Sequence, residues 1–293
     1  MRRHTKSKSL KIVYAIAFII FVIYTAFILF FPVMAIILAI KPDFNTFLDD
    51  MLNLEMLKIH SNFALKNFFL AFKEFQIGTH TYLEMLFHSL WRTLGGVTIA
   101  WLSTAMVTYI LVFYRCRFTK FIYYLGFFLS TIPLYGAGAA EYKLFAEIGL
   151  INNPLILVTK VALYGGHFFY MYAFWKSISW SYAEAALIDG AGHFSLFTKV
   201  MFPMAVPSMM ALFIMSLIAD WNAYDSTLLY MTEFPNLSYA LYAYEESTKY
   251  NVGELGKVAY FAGLLVSISP VLVLFAFFQN SIMEKVYIGG LKG

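Results

Sequence analysis

Between Lys11 and Lys41 lie 29 residues, Ile12 to Ile40, without a single charge. A helix rises about 1.5 Å per residue, so roughly 20 apolar residues cross a bilayer core, and this run is long enough to cross with tilt. A cleaved secretory leader has a shorter apolar stretch that ends at a small-residue site. The run is therefore read as a retained first membrane helix, with Pro32 kinking it or marking where it leaves the hydrocarbon. The rest of the chain agrees: only 13% of its 293 residues are charged and 61% are hydrophobic. Soluble domains carry about 25% charged residues, so this chain has too few polar groups to cover a surface facing water. Strands of a membrane barrel would alternate in polarity over about ten residues, and these runs do not. The expected class is all-α and polytopic.

Further spans are predicted near 87–112, 121–139, 155–175, 207–226 and 258–279, six in all, which puts both ends on one side. Charge sets which side. The N-terminal tail, the 115–120 loop, Lys176, Lys199, Lys285 and Lys292 together hold 12 of the 21 basic residues, against three acids, Glu184, Asp189 and Glu284. Loops rich in Lys and Arg stay in the cytoplasm, so both termini and the stretch around 184–203 are expected there, in a multi-pass protein of the cell membrane. The basic tail is explained by topology alone and implies no nucleic acid.

Two outer segments stand out. Residues 41–86 mix Phe47, Leu48, Met51, Leu52 and Met56 with Asp49, Asp50 and Glu55. A three-to-four-residue period predicts one or two amphipathic helices, serving either as a cap over the chain's own helices or as a docking surface. Residues 232–256 carry Pro235, four tyrosines and the pair Glu245–Glu246.

Enzyme chemistry finds little support. The single Cys116 rules out an internal disulfide, and the six histidines do not pair at metal-ligand spacing. A phosphate-cradling loop needs Gly, four residues, Gly-Lys and Ser or Thr. The nearest candidate, Gly256-Lys257, has Asn251 where the first Gly should stand and Val258 where the hydroxyl should. No bound cofactor is expected in this chain.

The stretch "EAALIDGAGHFSLFTKVMFP", 184–203, lies between two apolar runs. "SYAE" fits a capping box, with Ser181 as cap and Glu184 returning to its backbone. Ala185, Ala186, Leu187 and Ile188 continue a short helix with a small-residue face. Gly190 suits the left-handed stop. A second short helix is expected from about His193 to Phe202, after which Pro203 and Pro207 start the fifth span. The result is a helix–turn–helix elbow in which Leu187, Ile188, Phe194 and Phe197 offer apolar plugs and Glu184 and Asp189 offer charges. It could insert into a cleft on a soluble protein or lie along the membrane.

The pattern Glu184-Ala185-Ala186, three residues, Gly190, nine residues, Val200, one residue, Phe202-Pro203 resembles the signature of binding-protein-dependent ABC importer permeases. "IDGAG" (188–192) is similar to its sugar-importer form. "IPLYGAGAAEYKLFAEIGLINNPL" (132–155), "WNAYDSTLLY" (221–230) and the tail "IGGLKG" (288–293) resemble further segments of sugar permeases, the tail that of the maltose-system inner permease. The resemblance covers roughly residue 85 onward, plus the first helix by topology. It implies a type I importer permease fold with coupling helices at 181–203. Glu184, Ala185, Ala186, Leu187, Ile188, Asp189, Gly190, Phe194, Phe197 and Pro203 would dock on a cytoplasmic ATPase. It further implies a heterodimer with a second permease, two ATPase subunits that bind ATP–Mg, an extracytoplasmic solute-binding protein and a sugar substrate.

Polar and aromatic residues near the membrane are costly and mark pathways. Tyr135, Glu141 and Tyr142 form one candidate substrate cluster, and Trp221, Asn222 and Asp225 the other. Arg92 and His167 could equally snorkel or bond a neighbouring helix. The expected organisation is a tail (1–11), the first helix (12–40), an extracytoplasmic amphipathic segment (41–86), a five-helix core (87–279) and a cytoplasmic tail (280–293). The function class is an ATP-driven sugar-importer permease. The alternatives are the same machinery for a polyol or glycerol phosphate, and, in another class, an ion-driven secondary transporter, whose broken helices in repeated halves the sequence does not display.

Overall fold

The computed structural model describes residues 8–132, 138–162, 164, 166–248 and 256–289. Among these the protein is helical, with one isolated bridge, Ile77 to His80. Two compact units divide it: residues 1–76 with 243–267, and residues 77–242 with 268–293.

The first unit opens with α1, Lys8–Ala39, which runs on through Pro32. Apart from the half-buried Thr25, its side chains from Ile12 to Phe31 are exposed all around the helix, and only its end, at Ala35, Leu38 and Ala39, is buried. A helix apolar on every side requires lipid or another protein around it. The following segment folds as two short helices, α2 (Phe44–Leu52) and α3 (Lys66–Glu74). Asp43 caps α2 by accepting from the Thr46 N–H at 2.8 Å. Leu38 and Phe47 pack with Val258, from the start of the last helix, α13 (Gly256–Gly289, numbered in chain order).

A buried polar knot ties this segment to the end of α1. Lys41, 2% exposed, bonds to Asp50 and donates to the Lys58 carbonyl at 2.8 Å. Asp50 also meets His60 Nε2 at 2.7 Å. Asn67 donates to the Ala39 and Lys41 carbonyls at 2.9 and 2.8 Å, and the Ala64 N–H donates to the Ile40 carbonyl at 2.9 Å. The Asp50 carboxyl is pushed up by burial, but its hydrogen bonds to Lys41 and His60 outweigh that, leaving it below the usual carboxylate value.

The second unit is organised on α4, Tyr82–Phe113. Thr81 and Glu84 start it with a reciprocal capping box, five residues ahead of the predicted boundary. After it come α5 (Arg117–Thr131), α6 (Gly138–Glu147), a 3-10 turn (Pro154–Lys160), α7 (Phe168–Ser177), α8 (Ser181–Ile188), α9 (His193–Ser195), a π turn (Leu196–Met201), α10 (Phe202–Asn222), α11 (Asp225–Tyr230) and α12 (Leu237–Thr248).

Two expected spans are broken. The run 121–139 does not form one helix: α5 ends at Thr131 and Ile132 turns extended, as a residue preceding a proline prefers. The run 155–175 is split into the 3-10 turn and α7, with Val161 extended between them. The expected fifth span, 207–226, instead starts at Phe202, ends at Asn222 and continues from the elbow without a gap. It bends by 71° between His193–Pro207 and Met209–Asn222. Pro207 has no N–H to continue the ladder there. Among the described residues three helices are long and apolar enough to cross a membrane, or four if the bent pair is one span.

Polar hooks hold this unit together. Trp175 donates to the Ala105 carbonyl at 3.0 Å and Trp101 to that of Met209 at 3.4 Å, joining α7 and α10 to α4. Gly126 packs so closely on the Tyr164 ring that it leaves no room for a Cβ.

Candidate functional site

The elbow at 181–203 is built as two faces. Its inner face is fused to the bundle: Ala183, Leu196 and Met201 are fully buried in a cluster with Trp101, Tyr109, Trp175 and Met209. Phe197 packs on the Tyr109 ring at 4.8 Å and on Phe202 at 5.3 Å. Its outer face protrudes: Ile188 is 85% and Phe194 78% exposed, and Glu184, Ala185, Asp189, Gly190 and Pro203 are exposed as well. Of the four expected plugs, then, Ile188 and Phe194 point out. Leu187 and Phe197 are partly buried against the core and act as the elbow's anchors.

Local chemistry explains the shape. The expected Ser181 cap is absent: Trp180 holds the N-cap position with helical backbone and no side-chain bond, and the Ser181 hydroxyl pairs with Ser179 at 2.8 Å. The Glu184 N–H bonds to the Trp180 carbonyl at 3.0 Å, which leaves the carboxylate outside any capping box. The stop is as expected. Gly190 has φ +83°, its N–H reaches the Leu187 carbonyl at 3.0 Å, and the Ala191 N–H reaches that of Ala186 at 2.9 Å. This pair of bonds is the Schellman closure, and a side chain at Gly190 would be strained. His193 Nδ1 meets the Tyr114 hydroxyl at 2.8 Å, fastening the second half of the elbow to the end of α4.

The substrate candidates divide. Glu141 and Asp225 line one cavity of about 250 Å³, together with Arg92, Lys160, Asp220 and Tyr230. Tyr142 is 46% exposed and stacks on Tyr230 at 6.3 Å. Trp221 does not line the cavity: it is buried, 4% exposed, and its carbonyl accepts from Ser238 at 2.5 Å. Asn222 is exposed and its amide turns back to the Ile218 carbonyl at 2.8 Å. Tyr135 lies outside the described residues.

Arg92 and Lys160 are the cavity's cations. Arg92 neither snorkels nor points to lipid. It donates to Thr227 Oγ1 at 2.7 Å, the Phe234 carbonyl at 2.8 Å and Ser226 Oγ at 2.8 Å. Thr227 passes the chain of bonds on to Asn236 at 3.0 Å. Arg92 thus clamps the loop after α10 to α4. Lys160 pairs with Asp220 at 3.3 Å. Its signal in the sequence was a lysine inside an expected span, which a membrane tolerates only where that residue finds a partner or water. The Asn152 N–H donates to the Tyr230 carbonyl at 2.8 Å and its side-chain oxygen accepts from the Glu233 N–H at 3.1 Å. The "GLINN" stretch is therefore a tie between this loop and α6.

Long apolar helices, a cavity lined with charges and a protruding elbow define a helical multi-pass membrane protein. No protein-family model matches the sequence. The chain is 31% identical over 202 residues to the diacetylchitobiose uptake system permease protein of Streptomyces coelicolor, covering 68% of this chain and 66% of that one. It is 27% identical to the arabinooligosaccharides transport system permease protein of Halalkalibacterium halodurans, over 92% of this chain and 94% of the relative. The crystal structure of a bacterial ABC transporter involved in the import of the acidic polysaccharide alginate contains a chain of the same fold, with TM-score 0.74 at 19% identity, covering 95% of this chain and 99% of that one. The chain belongs to the family of ABC transporter permease subunits.

Proposed function

We propose that this chain is one half of the membrane channel of an ATP-driven importer for a sugar or oligosaccharide. It pairs with a second, different permease, receives its substrate from an extracytoplasmic binding protein and is driven by two cytoplasmic ATPase subunits that hold the ATP–Mg. Six spans, with both termini in the cytoplasm, put the elbow on the ATPase side. The observation that carries the reading is the elbow's two-faced construction. Ile188 and Phe194 protrude on a segment whose other face is locked into the bundle by Leu196, Phe197 and Met201, so a force applied outside moves α4, α7 and α10 with it. Saccharide as cargo rests on the named substrates of the relatives and on a cavity edged with carboxylates and Tyr230, groups that bond hydroxyls.

The test is uptake by the complete complex in proteoliposomes, with the binding protein outside and ATP inside. An oligosaccharide captured by the binding protein should accumulate only when ATP is present. Accumulation driven by an ion gradient without ATP would replace this reading with secondary transport.

A further inference from the structure

Beside the elbow lies an open groove of about 400 Å³, separate from the substrate cavity and sharing only Phe194 and Phe197 with the residues expected to dock the ATPase. One wall is a single face of α4, with Met106, Tyr109, Ile110 and Tyr114 at the i, i+3, i+4 and i+8 spacing that stacks side chains along a helix. The other wall includes His193 and Phe194 of the elbow. Met106 is 46% exposed and Ile110 45%, so the wall is apolar and open. At its back lies Tyr109, 3% exposed.

The chain next to the groove's lining is cationic. Directly after Tyr114 come Arg115, Arg117 and Lys120, all exposed. Thr119 Oγ1 donates to the Tyr114 carbonyl at 2.8 Å, which holds the start of α5 against the groove's end. Between Glu84, at the opposite end of α4, and Glu141 the chain has no carboxylate, so nothing near these three charges on α4 or α5 neutralises them. An apolar slot ending in three cations matches a ligand with an acyl chain and an anionic head.

We propose that this groove binds an anionic phospholipid of the cytoplasmic leaflet, its chain along Met106 and Ile110 and its phosphate against Arg115, Arg117 and Lys120. The choice of leaflet rests on the proposed orientation of the elbow; the charge complementarity does not. Each basic residue at an anionic membrane surface contributes roughly a fivefold gain in binding, so three give a selectivity that can be measured.

The experiment is native mass spectrometry of the full transporter complex in mild detergent, titrated with phosphatidylglycerol or phosphatidylcholine. Phosphatidylglycerol should be retained at least about tenfold better. The triple variant Arg115→Gln, Arg117→Gln, Lys120→Gln should bring the two lipids level, and Ile110→Trp, which fills the slot, should lower retention of both. The intact mass of the complex reports that each variant assembles. Equal retention of the two lipids by the unmodified complex, or a preference untouched by both variants, overturns the proposal. So does a Met106→Cys probe, in a Cys116→Ser background, that labels only after the ATPase is stripped off, since a protein would then cover the groove. Lipid retention needs neither sugar nor ATP turnover, so its failure is separable from a failure of uptake.

Discussion

Reversing the charge at Glu184 is expected to abolish coupled transport: Glu184→Lys in the reconstituted complex should lose roughly 30-fold or more of its uptake. Removing one partner of an interfacial charge pair costs about 2–5 kcal/mol when the site excludes water, and each 1.4 kcal/mol is a factor of ten. The carboxylate is exposed in the first turn of α8, and its own backbone N–H is satisfied by Trp180. The substitution therefore leaves the bundle folded and acts at the proposed contact with the ATPase. Glu184→Gln, which keeps the shape without the charge, should fall between the two. Uptake and ATP hydrolysis are measured together in proteoliposomes, and wild-type uptake in the lysine variant would remove Glu184 from the docking surface.

The second large effect belongs to the knot behind α1. Asp50→Ala strands the Lys41 ammonium, 2% exposed, with the Lys58 carbonyl as its remaining described partner. Breaking a buried pair in this way costs about 3–5 kcal/mol, whereas replacing both partners by apolar residues is often neutral. Hydrogen exchange of the peptide containing Ala64 reads it out, because the Ala64 N–H bonds to the Ile40 carbonyl at 2.9 Å across the knot. Exchange there should accelerate strongly in Asp50→Ala and return toward wild type in Lys41→Met/Asp50→Leu. Acid should mimic the single variant. The Asp50 carboxyl is held below its ordinary value, so its contribution is fully present above the unfolded value near 4 and is lost as the pH falls through the lower folded value. Unchanged exchange in Asp50→Ala would mean that the knot does not hold this segment.

The long helices and the stop of the elbow were legible in residues close together in the chain. The uncharged run from Ile12 to Ile40 announced α1, and the Gly190 stop followed from glycine's tolerance of positive φ. Thr81 and Glu84 spelled out the start of α4, although the hydrophobic run alone placed it later. The breaks after Thr131 and Lys160 were harder to see, because both sides of each break are apolar and periodicity carries no signal across a uniformly hydrophobic stretch. The marks were Pro133, Gly136 and Gly138 in the first, and Lys160 with the Gly165-Gly166 pair in the second. The sorting of the elbow's apolar residues was not legible at all. Phe197 turns inward because Tyr109 and Trp175 wait for it, and those partners lie far away in sequence. Trp221 looked like a pathway residue for the same reason that it is buried: a large indole is as useful to a core as to a sugar. Arg92 was visible as a costly charge, but its three acceptors come from α11 and the loop after it, more than 130 residues away.

The central claim, that the elbow's exposed tip seats in a nucleotide-hydrolysing partner inside the cell, is tested most directly by cross-linking at Ile188. Cys116 is first changed to Ser, which can keep its cap on the Thr119 N–H, and Ile188→Cys then provides the one thiol. In inside-out vesicles that thiol should cross-link to the ATPase subunit, with a yield that changes when ATP is added. Labelling of position 188 only from the outer face, or a thiol that is reachable from inside but never joins the ATPase, would contradict the account.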